Sequence, residues 1–308
     1  MKQIIKKLRH TLSPLRRSLE INVLGRLAPK YLTNMLYKRQ WGHDIRWDNP
    51  IDIDEKINWL KFYSDTSKWA TLTDKYRVRK HLESLGLGEY LPILYGKWDR
   101  AEDIDWESLP QQFVMKVNNG SGQMLLCKDK ASLDTVSWTK NFKQQLKEKF
   151  GYQGAELHYN KILPCIIAEE LLDNTKQPIE SSSLIDYKIW SFNGKPAYIW
   201  TCHNRANHSC EVKVYDLDWK EHPEYSVDCE HYRLSHITIP RPKSLDRMLQ
   251  IASTLSKGFP AVRVDLYEVD GKPYFGEMTF TSNAGNNYFY TDEFRNILGS
   301  KVDLGTNH

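Results

Sequence analysis

Three charged residues interrupt the apolar residues of two adjacent segments near the C-terminus. The stretch AVRVDLYEVDGKPYFGEMTF, residues 261–280, carries Arg263 and Asp265 before an Asp-Gly dipeptide and Glu277 after it. An Asp-Gly dipeptide between two alternating segments predicts a β-hairpin. Because successive side chains of a strand point to opposite faces, Arg263 and Asp265 share one face, and the apolar residues between them form the core face. The charges are therefore able to form a site without replacing the core.

The length of the hairpin loop decides whether Glu277 joins the other two charges. A two-residue turn would place Asp265 and Glu277 on opposite faces, whereas a three-residue loop ending at Gly271 would pair Arg263 with Glu277. We expect the three-residue loop, which also brings Thr279 to the charged face. Two neighbouring carboxylates repel unless a cation lies between them, and hard oxygen ligands suit Mg²⁺. An exposed, salt-bridged sheet face is the alternative interpretation.

A second segment carries residues that suit phosphate. In FVMKVNNGSGQ, Lys116 stands on a predicted strand directly before a loop that contains Gly120 and Gly122. Free backbone N–H groups of such a loop, together with an ammonium group, can bind phosphates. The chain has neither a Walker A motif nor a GxGxxG fingerprint. The loop is a weak signal alone, but with the charged hairpin it is a more specific signal for a site that binds phosphates and Mg²⁺.

The order of the predicted elements indicates the fold class. Helical periodicity comes first, at residues 51–67 and 73–86, and hairpins interleaved with helices follow, including one around Asn193-Gly194. This order predicts an α+β chain with antiparallel sheets, because a parallel βαβ fold would alternate strands and helices regularly.

Positive charge is concentrated at the N-terminus. Residues 1–40 carry ten Lys or Arg and one acid, Glu20, so this segment has a net charge of +9 within a chain of net charge +4. Apolar residues at helical spacing beside the basic ones predict an interfacial amphipathic helix, broken at Ser13-Pro14. Such an arm suits an anionic membrane surface, and a helix packed on the protein's own body is the alternative. We expect no nucleic acid partner.

The compartment is predicted from what the sequence lacks. No segment reaches the roughly 18–20 uninterrupted apolar residues of a spanning helix, and the N-terminus lacks the features of a signal peptide. The five cysteines are scattered without CxxC spacing, which suits reduced thiols. We therefore expect a cytoplasmic protein, peripheral at the inner face of the membrane if the basic arm binds lipid.

The motifs, taken in order, resemble those of a known family. They are DK (Asp74, Lys75), VMKVNNGSG (114–122), AEELL (168–172), DYK (186–188), RVD (263–265) and GEMTF (276–280). The series resembles the ATP-grasp superfamily, most of all the TupA-like branch linked to teichuronopeptide and other surface-polysaccharide biosynthesis. The resemblance covers roughly residues 45 to 305. It implies an ATP-grasp fold, in which two α+β lobes with antiparallel sheets clamp ATP, preceded by a helical N-terminal segment.

The resemblance also implies a role for each matching residue. Arg263 and Lys188 are expected to be catalytic, Arg263 at the transition state and Lys188 at the γ-phosphate or an acyl phosphate. Mg²⁺ is expected on Asp265, Glu277 and Thr279. The residues expected to bind the nucleotide are Lys75 and Lys116 at the phosphates, Asn118, Gly120, Ser121 and Gly122 in a flexible lid, Glu169, Glu170 and Leu172 at the interlobe hinge, and Asp186 at the ribose.

One position departs from the pattern of D-alanine ligase and its relatives. Those enzymes carry an Asn two residues after the metal-binding glutamate, where this chain has Thr279. Either the Thr279 hydroxyl or the nearby Asn283 is expected to replace it, or one metal is bound more weakly.

The chemistry implied by the resemblance is ATP-dependent ligation of a carboxylate to an amine through an acyl phosphate. The expected substrates are an amino acid or amine and a carboxylate-bearing glycan, a uronic acid of a capsule or cell-wall polysaccharide. Two alternatives remain open. One is an ATP-dependent sugar or glycan kinase, and the other is a non-catalytic nucleotide-binding scaffold for polysaccharide assembly.

Four regions are expected along the chain. Residues 1–45 form the basic amphipathic arm and residues 46–110 a helical N-terminal region. Residues 111–170 form lobe 1 with the lid loop, and residues 171–308 form lobe 2 with the Mg²⁺-binding hairpin.

Overall fold

The computed structural model describes residues 21–120, 123–206 and 209–305. The amphipathic helix expected around Ser13-Pro14 and two residues of the expected lid loop, Ser121 and Gly122, lie outside the described residues. No helix of the described chain combines the length and the apolar character needed to cross a bilayer.

Helices open the described chain and later flank the strands. Residues 21–27 are helical and lead into a series of helices that precedes the longer strands. This series comprises α1 (Pro29–Trp41), α2 (Ile53–Tyr63), α3 (Trp69–Thr73) and α4 (Val78–Ser84). The later helices are α5 (Thr135–Gln145), α6 (Leu245–Leu255) and α7 (Asp292–Ser300).

The strands of the described chain form two sheets. The first sheet contains, in spatial order, β1 (Leu94–Trp98), β4 (Ile166–Glu169), β2 (Phe113–Val117) and β3 (Leu125–Cys127). The second contains β10 (Lys272–Thr279), β9 (Val262–Val269), β5 (Asp186–Phe192), β6 (Lys195–Ala206), β7 (Ser209–Tyr215) and β8 (Tyr232–Leu234). Neighbouring strands are antiparallel except for β7 and β8, which are parallel. The α+β class with mainly antiparallel sheets is confirmed.

Each sheet has its own apolar core. The second sheet buries the larger one, to which α2, α6 and α7 contribute, whereas the first sheet packs on Phe142 of α5. On β9 the alternating Val262, Val264 and Leu266 are fully buried. Burial of each such side chain contributes about 1.5–3 kcal/mol to the free energy of unfolding. The alternation predicted for this strand therefore holds in its core face.

The region predicted to be helical, residues 46–110, also supplies a strand. Its helix α2 begins as expected, because the Asp52 carboxylate accepts hydrogen bonds from the backbone N–H groups of Asp54 and Glu55 at 2.9 and 3.0 Å. Residues Leu94–Trp98, however, form β1 and pair with β4 of the first sheet. The expectation of a helical region is wrong for Leu94–Trp98, because this strand forms by pairing with β4, a contact distant in sequence.

The expected three-residue loop in the β9–β10 hairpin is also wrong. Val269 pairs with Lys272, so the turn consists of Asp270 and Gly271 alone. Both have positive φ values, 55° and 75°, as a type I′ turn requires.

A β-bulge restores the face that the short turn would have lost. The register shifts by one residue between Phe275 and Glu277, so Glu277 lies opposite Asp265 and Thr279 lies opposite Arg263. The extra residue is Gly276, where an added Cβ would lie 3.0 Å from the Asp265 carbonyl oxygen. A two-residue turn alone would place Asp265 and Glu277 on opposite faces of the hairpin. The bulge keeps both carboxylates on the same face.

Candidate active site

Arg263 and Asp265 form a forked ion pair on the polar face of β9. Arg263 Nε donates to Asp265 Oδ1 and Arg263 Nη2 donates to Asp265 Oδ2, both at 2.8 Å. The guanidinium also donates to Ser282 Oγ at 3.0 Å. Both charged side chains are buried, so their relative position is fixed by two parallel hydrogen bonds.

Lys188 of β5 connects this pair to the next strand. Its ammonium lies 2.5 Å from a carboxylate oxygen of Asp265 and 2.5 Å from one of Asp186. Arg205 of β6 binds the same Asp186 oxygen at 3.0 Å. Burial alone would lower the pKa of Lys188, but the two carboxylates outweigh it and raise that pKa. The lysine is therefore fully charged at neutral pH.

The charge balance also keeps Asp265 ionised. Burial alone would raise the pKa of this carboxyl, but Arg263 and Lys188 hold it well below its usual range. Asp265 is thus a permanent anion between two permanent cations.

Glu277 extends the cluster toward solvent. Its Oε1 accepts a hydrogen bond from Thr279 Oγ1 at 3.3 Å and lies 3.7 Å from Arg263 Nη2. Its Oε2 lies 3.7 Å from Lys75 Nζ, and burial lowers the pKa of that lysine, with Glu277 opposing the shift. The Glu277 side chain is 37% exposed, whereas Asp265 is 1% exposed. The Asp265 carboxylate is therefore enclosed by protein, whereas the Glu277 carboxylate is partly open to solvent.

The donor set fits Mg²⁺ held by few protein ligands. Asp265, Glu277 and Thr279 supply hard oxygens from neighbouring positions on two paired strands, and Glu277 has exposed surface for further ligands. Within the described chain no three His, Cys, Asp or Glu residues form a metal-binding cluster, so water or phosphate oxygens would complete the shell. Asn283, the expected substitute ligand, lies beyond the strand with its amide nitrogen donating to the Asn286 carbonyl.

Lys116 of β2 lies in a separate ion-pair cluster on the first sheet. Its ammonium is 2.6 Å from Glu169 Oε2, and Arg79 of α4 donates to Glu169 Oε1 at 3.0 Å. Glu169 is 4% exposed and Lys116 is 23% exposed. The buried carboxylate therefore orients the lysine, whose ammonium remains accessible to a phosphate.

The residues at the start of the expected lid have unequal roles. Asn118 is fully buried, and its side chain donates to Asp74 Oδ1 at 2.8 Å and accepts from the Cys165 N–H at 2.7 Å. The Gly120 carbonyl accepts a hydrogen bond from Lys75 Nζ at 2.7 Å. Asn118 therefore anchors the loop, and Lys75 links it to Glu277.

The residues expected at the hinge and at the ribose differ in whether their polar groups already have hydrogen-bond partners. The Glu170 N–H donates to the Ile93 carbonyl at 2.8 Å, so this group already has a partner, and Leu172 is 9% exposed. Asp186 Oδ1, in contrast, is buried and has no hydrogen-bond partner among the described residues. This carboxylate oxygen is free to accept a hydrogen bond from a hydroxyl group.

A cleft beside Glu277 and Thr279 is lined by residues that no sequence motif marks. It encloses about 560 Å³, and its lining includes Lys61, Glu156, Thr281, Tyr288 and α1 residues such as Arg39. Glu277 and Thr279 form part of the same wall. No local pattern marks Lys61 or Glu156, because their proximity depends on contacts between segments far apart in sequence. Tyr288 lines the cleft, whereas Tyr290 is buried in the core.

Residues 55–303 match the family described as TupA-like ATPgrasp. This range covers well over half of the 308-residue chain. The chain belongs to the TupA-like ATP-grasp family. Family membership confirms the fold expected from the resemblance and its cofactors, ATP and Mg²⁺. Helix α1, which lines the cleft, lies outside the matched range.

Solved structures of ATP-grasp ligases are also similar to this chain. D-alanine–D-alanine ligase from Bacillus anthracis, complexed with ATP, has a TM-score of 0.41 at 15% identity, covering 75% of this chain and 65% of that one. D-cycloserine synthetase DcsG has a TM-score of 0.37 at 14% identity, covering 76% of this chain and 70% of that one. The ATP-grasp ligase PsnB, complexed with minimal precursor, Mg and ADP, has a TM-score of 0.37 at 10% identity, covering 81% of this chain and 66% of that one. The chain thus spans about two thirds of the D-alanine ligase. No curated protein is significantly similar to it in sequence.

Proposed function

We propose that the protein is an ATP-dependent carboxylate–amine ligase that attaches an amino acid or amine to a uronic acid of a capsule or cell-wall polysaccharide. The observation that carries the proposal is the bulged β9–β10 hairpin. It gathers Arg263, Asp265, Glu277 and Thr279 on one face, with Lys188 paired to Asp265 and Lys75 beside Glu277.

The role proposed for each residue of this cluster follows from its charge. Bound ATP and Mg²⁺ supply the phosphoryl group that activates a carboxylate and the positive charge that neutralises it. In this proposal Asp265, Glu277 and Thr279 hold the metal, and Lys75 and Lys116 orient the phosphates. Lys188 neutralises the transferred phosphoryl oxygens, and Arg263 stabilises the oxyanion that forms when the amine attacks. For Lys188 to reach a phosphate it must leave one of its two carboxylates.

We propose nucleotide-binding roles for the remaining residues from where they lie in the fold. Asp186 Oδ1 accepts from a ribose hydroxyl, and the backbone of Glu170 and Leu172 borders the adenine. The loop from Asn118 through Gly120, Ser121 and Gly122 closes over the phosphates, anchored by Asn118. Glu169 acts by orienting Lys116, which it contacts at 2.6 Å.

The cleft supports a glycan as the carboxylate substrate. Tyr288, Asn283 and Asn286 lie in its lining together with Arg39. An aromatic ring with amide side chains suits a sugar face and its hydroxyl groups, and a guanidinium suits a uronate carboxylate.

We also propose a cytoplasmic location close to membrane-bound glycan assembly. The support is the net charge of +9 on residues 1–40, which favours an anionic lipid surface. Binding of the full chain to vesicles with and without anionic lipid tests this location, and equal binding to both contradicts it.

The function itself is tested with purified protein, ATP, Mg²⁺, glucuronate or galacturonate oligosaccharides and a mixture of amino acids. We expect ADP release that requires both the glycan and an amine, and a product whose mass equals glycan plus amine minus water. A product heavier by one phosphate, roughly 80 Da, identifies a glycan kinase instead. Thermal stabilisation by ATP without ADP release on any acceptor identifies a nucleotide-binding scaffold.

A further inference from the structure

A buried carboxylate outside the metal cluster faces the same cleft. Glu156 lines the cleft with Glu277 but is only 6% exposed. Its Oε1 accepts a hydrogen bond from Thr281 Oγ1 at 2.5 Å. Thr281 follows Thr279 by two residues, so Glu156 is held beside the end of the metal-binding strand.

Among the residues that the structure describes, no cation forms an ion pair with Glu156. Lys61 is a half-buried cation that acts on Glu156, but its ammonium donates to Asn58 Oδ1, the Gly154 carbonyl and the Ala284 carbonyl at 2.9, 2.9 and 3.1 Å. These three bonds use all three ammonium hydrogens. Lys61 therefore acts on the Glu156 carboxylate through space, without neutralising it by contact.

The surroundings of Glu156 place its protonation change near neutral pH. Burial raises the pKa of the Glu156 carboxyl to about 7, although Lys61 and Thr281 favour the ionised form. The other titratable or charged residues of the cleft lining are Tyr159 on the same segment, Glu277 of β10, Tyr288, and Tyr37 and Arg39 of α1. A carboxyl with such a pKa can both accept and release a proton under working conditions.

Gly154 packs closely against this carboxylate. A Cβ added to Gly154 would lie 2.9 Å from Glu156 Oε2 and 2.6 Å from the Ala284 Cβ. Ala284 itself has a positive φ of 56° within the turn that Lys61 and Asn58 hold by hydrogen bonds. Side chains from α2 therefore fix the turn that borders Glu156.

We propose that Glu156 is the general base of the second half-reaction, an inference that rests on the proposed ligase function. An incoming ammonium group gives one proton to the Glu156 carboxylate. The freed nitrogen lone pair forms the C–N bond to the activated carbonyl carbon, the bond from that carbon to the phosphate oxygen breaks, and the departing phosphate takes the second proton from nitrogen. Asp265 does not line this cleft and Glu277 is a proposed metal ligand, which leaves Glu156 as the carboxylate among the described lining residues.

The test compares two amines on Glu156→Gln. The acceptor is a glucuronate or galacturonate oligosaccharide with ATP and Mg²⁺, and the nucleophile is either the amino acid mixture or hydroxylamine. Hydroxylamine is already unprotonated at neutral pH, so it does not need the base. We expect amide formation to fall about 100-fold or more and hydroxamate formation to change less than about threefold. Glu268→Gln is the matched control, since this buried glutamate also accepts a hydroxyl bond, from Ser244 at 2.6 Å, but does not line the cleft.

A second measurement needs no acceptor. The folded pKa is raised from 4.5 to about 7, so the folded state binds more protons than the unfolded chain between these values. The stability of the wild type, relative to Glu156→Gln, is therefore expected to fall as pH rises through this window and to level off above it. Chemical denaturation at several pH values measures the difference.

Each outcome bears on one of the two proposals. Equal losses of amide and hydroxamate show a structural role for Glu156 and overturn the base assignment, as does a flat stability difference across the pH window. Absence of ADP release from the wild type with every acceptor and amine refutes the ligase, and the base assigned to it falls with it.

Discussion

Each sheet carries a lysine bound to a carboxylate, but the two pairs are built differently. Lys116 on the first sheet has one carboxylate, Glu169, at 2.6 Å and is 23% exposed. Lys188 on the second sheet has two carboxylates at 2.5 Å and is 9% exposed. Burial makes charge interactions stronger and the loss of a partner more costly, whereas water screens an exposed pair. The second sheet therefore holds a rigid charge cluster, and the first holds a lysine that a phosphate can recruit at low cost.

Replacing Asp265 should break the second cluster and give the largest effect. In Asp265→Asn two buried cations, Arg263 and Lys188, lose the anion they share. We expect the free energy of unfolding to fall by about 3–5 kcal/mol and ADP release to be lost. Urea denaturation and an ADP assay measure the two effects. Asp270→Asn, at the exposed turn of the same hairpin, is the control and should change stability by less than about 0.5 kcal/mol. Wild-type ADP release from Asp265→Asn would contradict the metal assignment.

The segment between α5 and β4 contains a buried histidine whose charge depends on pH. His158 packs edge-on against Trp69, with ring centroids 5.4 Å apart, and burial lowers its pKa from 6.5 to about 3. The unfolded chain therefore binds more protons between these values, so stability falls as pH falls. We expect a loss of about 2–3 kcal/mol by about pH 4.5, which His158→Phe removes. Denaturation of both proteins across this range measures it, with His231→Phe at an exposed site as control. An unchanged pH slope in His158→Phe would place the loss elsewhere.

Matched replacements of the two lysines sharpen the comparison directly. Lys188→Met should cost about 2–3 kcal/mol of stability, because charged hydrogen bonds to Asp186 and Asp265 are lost in a buried site. Lys116→Met should cost about 1 kcal/mol, because Arg79 still bonds the buried Glu169, yet weaken ATP binding. Denaturation and isothermal titration with ATP separate the two results. Equal stability losses would mean that the two sheets hold their lysines alike.

The bulge in the second sheet should be sensitive to a single methyl group. In Gly276→Ala the new Cβ would meet the Asp265 carbonyl oxygen at 3.0 Å and the Tyr267 ring at 3.1 Å. We expect a loss of about 1–2 kcal/mol and lower ADP release, because Glu277 moves relative to Asp265. Gly88→Ala is the control, since its Cβ would meet only Glu83, at 3.3 Å from a flexible side-chain carbon. Similar activity in both variants would show that the bulge geometry is not required.

Local patterns predicted the polar and apolar faces of the site but not its connections. The alternation of β9 placed Arg263 and Asp265 opposite the buried valines, as the structure has them. The register of Glu277 was predicted from loop length, and the structure reaches the same face through a two-residue turn and a bulge. An isolated glycine within a strand is the signal for a bulge, and Gly276 carried it.

Other site features depend on residues far apart in sequence. The resemblance places Asn118 in the lid over the nucleotide, and its side chain binds Asp74 and the Cys165 backbone, contacts that no local pattern predicts. Glu156 and Lys61 meet the metal strand only through the folded chain, so no local spacing marks them. Helix α1, outside the family match, lines the cleft for the same reason.

By itself the sequence determined the family, the α+β class and which residue types reach the polar face of the hairpin. These follow from side-chain alternation and from motifs whose members are neighbours in the chain. The tertiary structure decided which carboxylate each cation binds, how far Glu277 stands from Asp265, and which additional acid faces the cleft. The reason is physical: strand register and burial set these distances, and both depend on packing between segments that the chain brings together only when it folds.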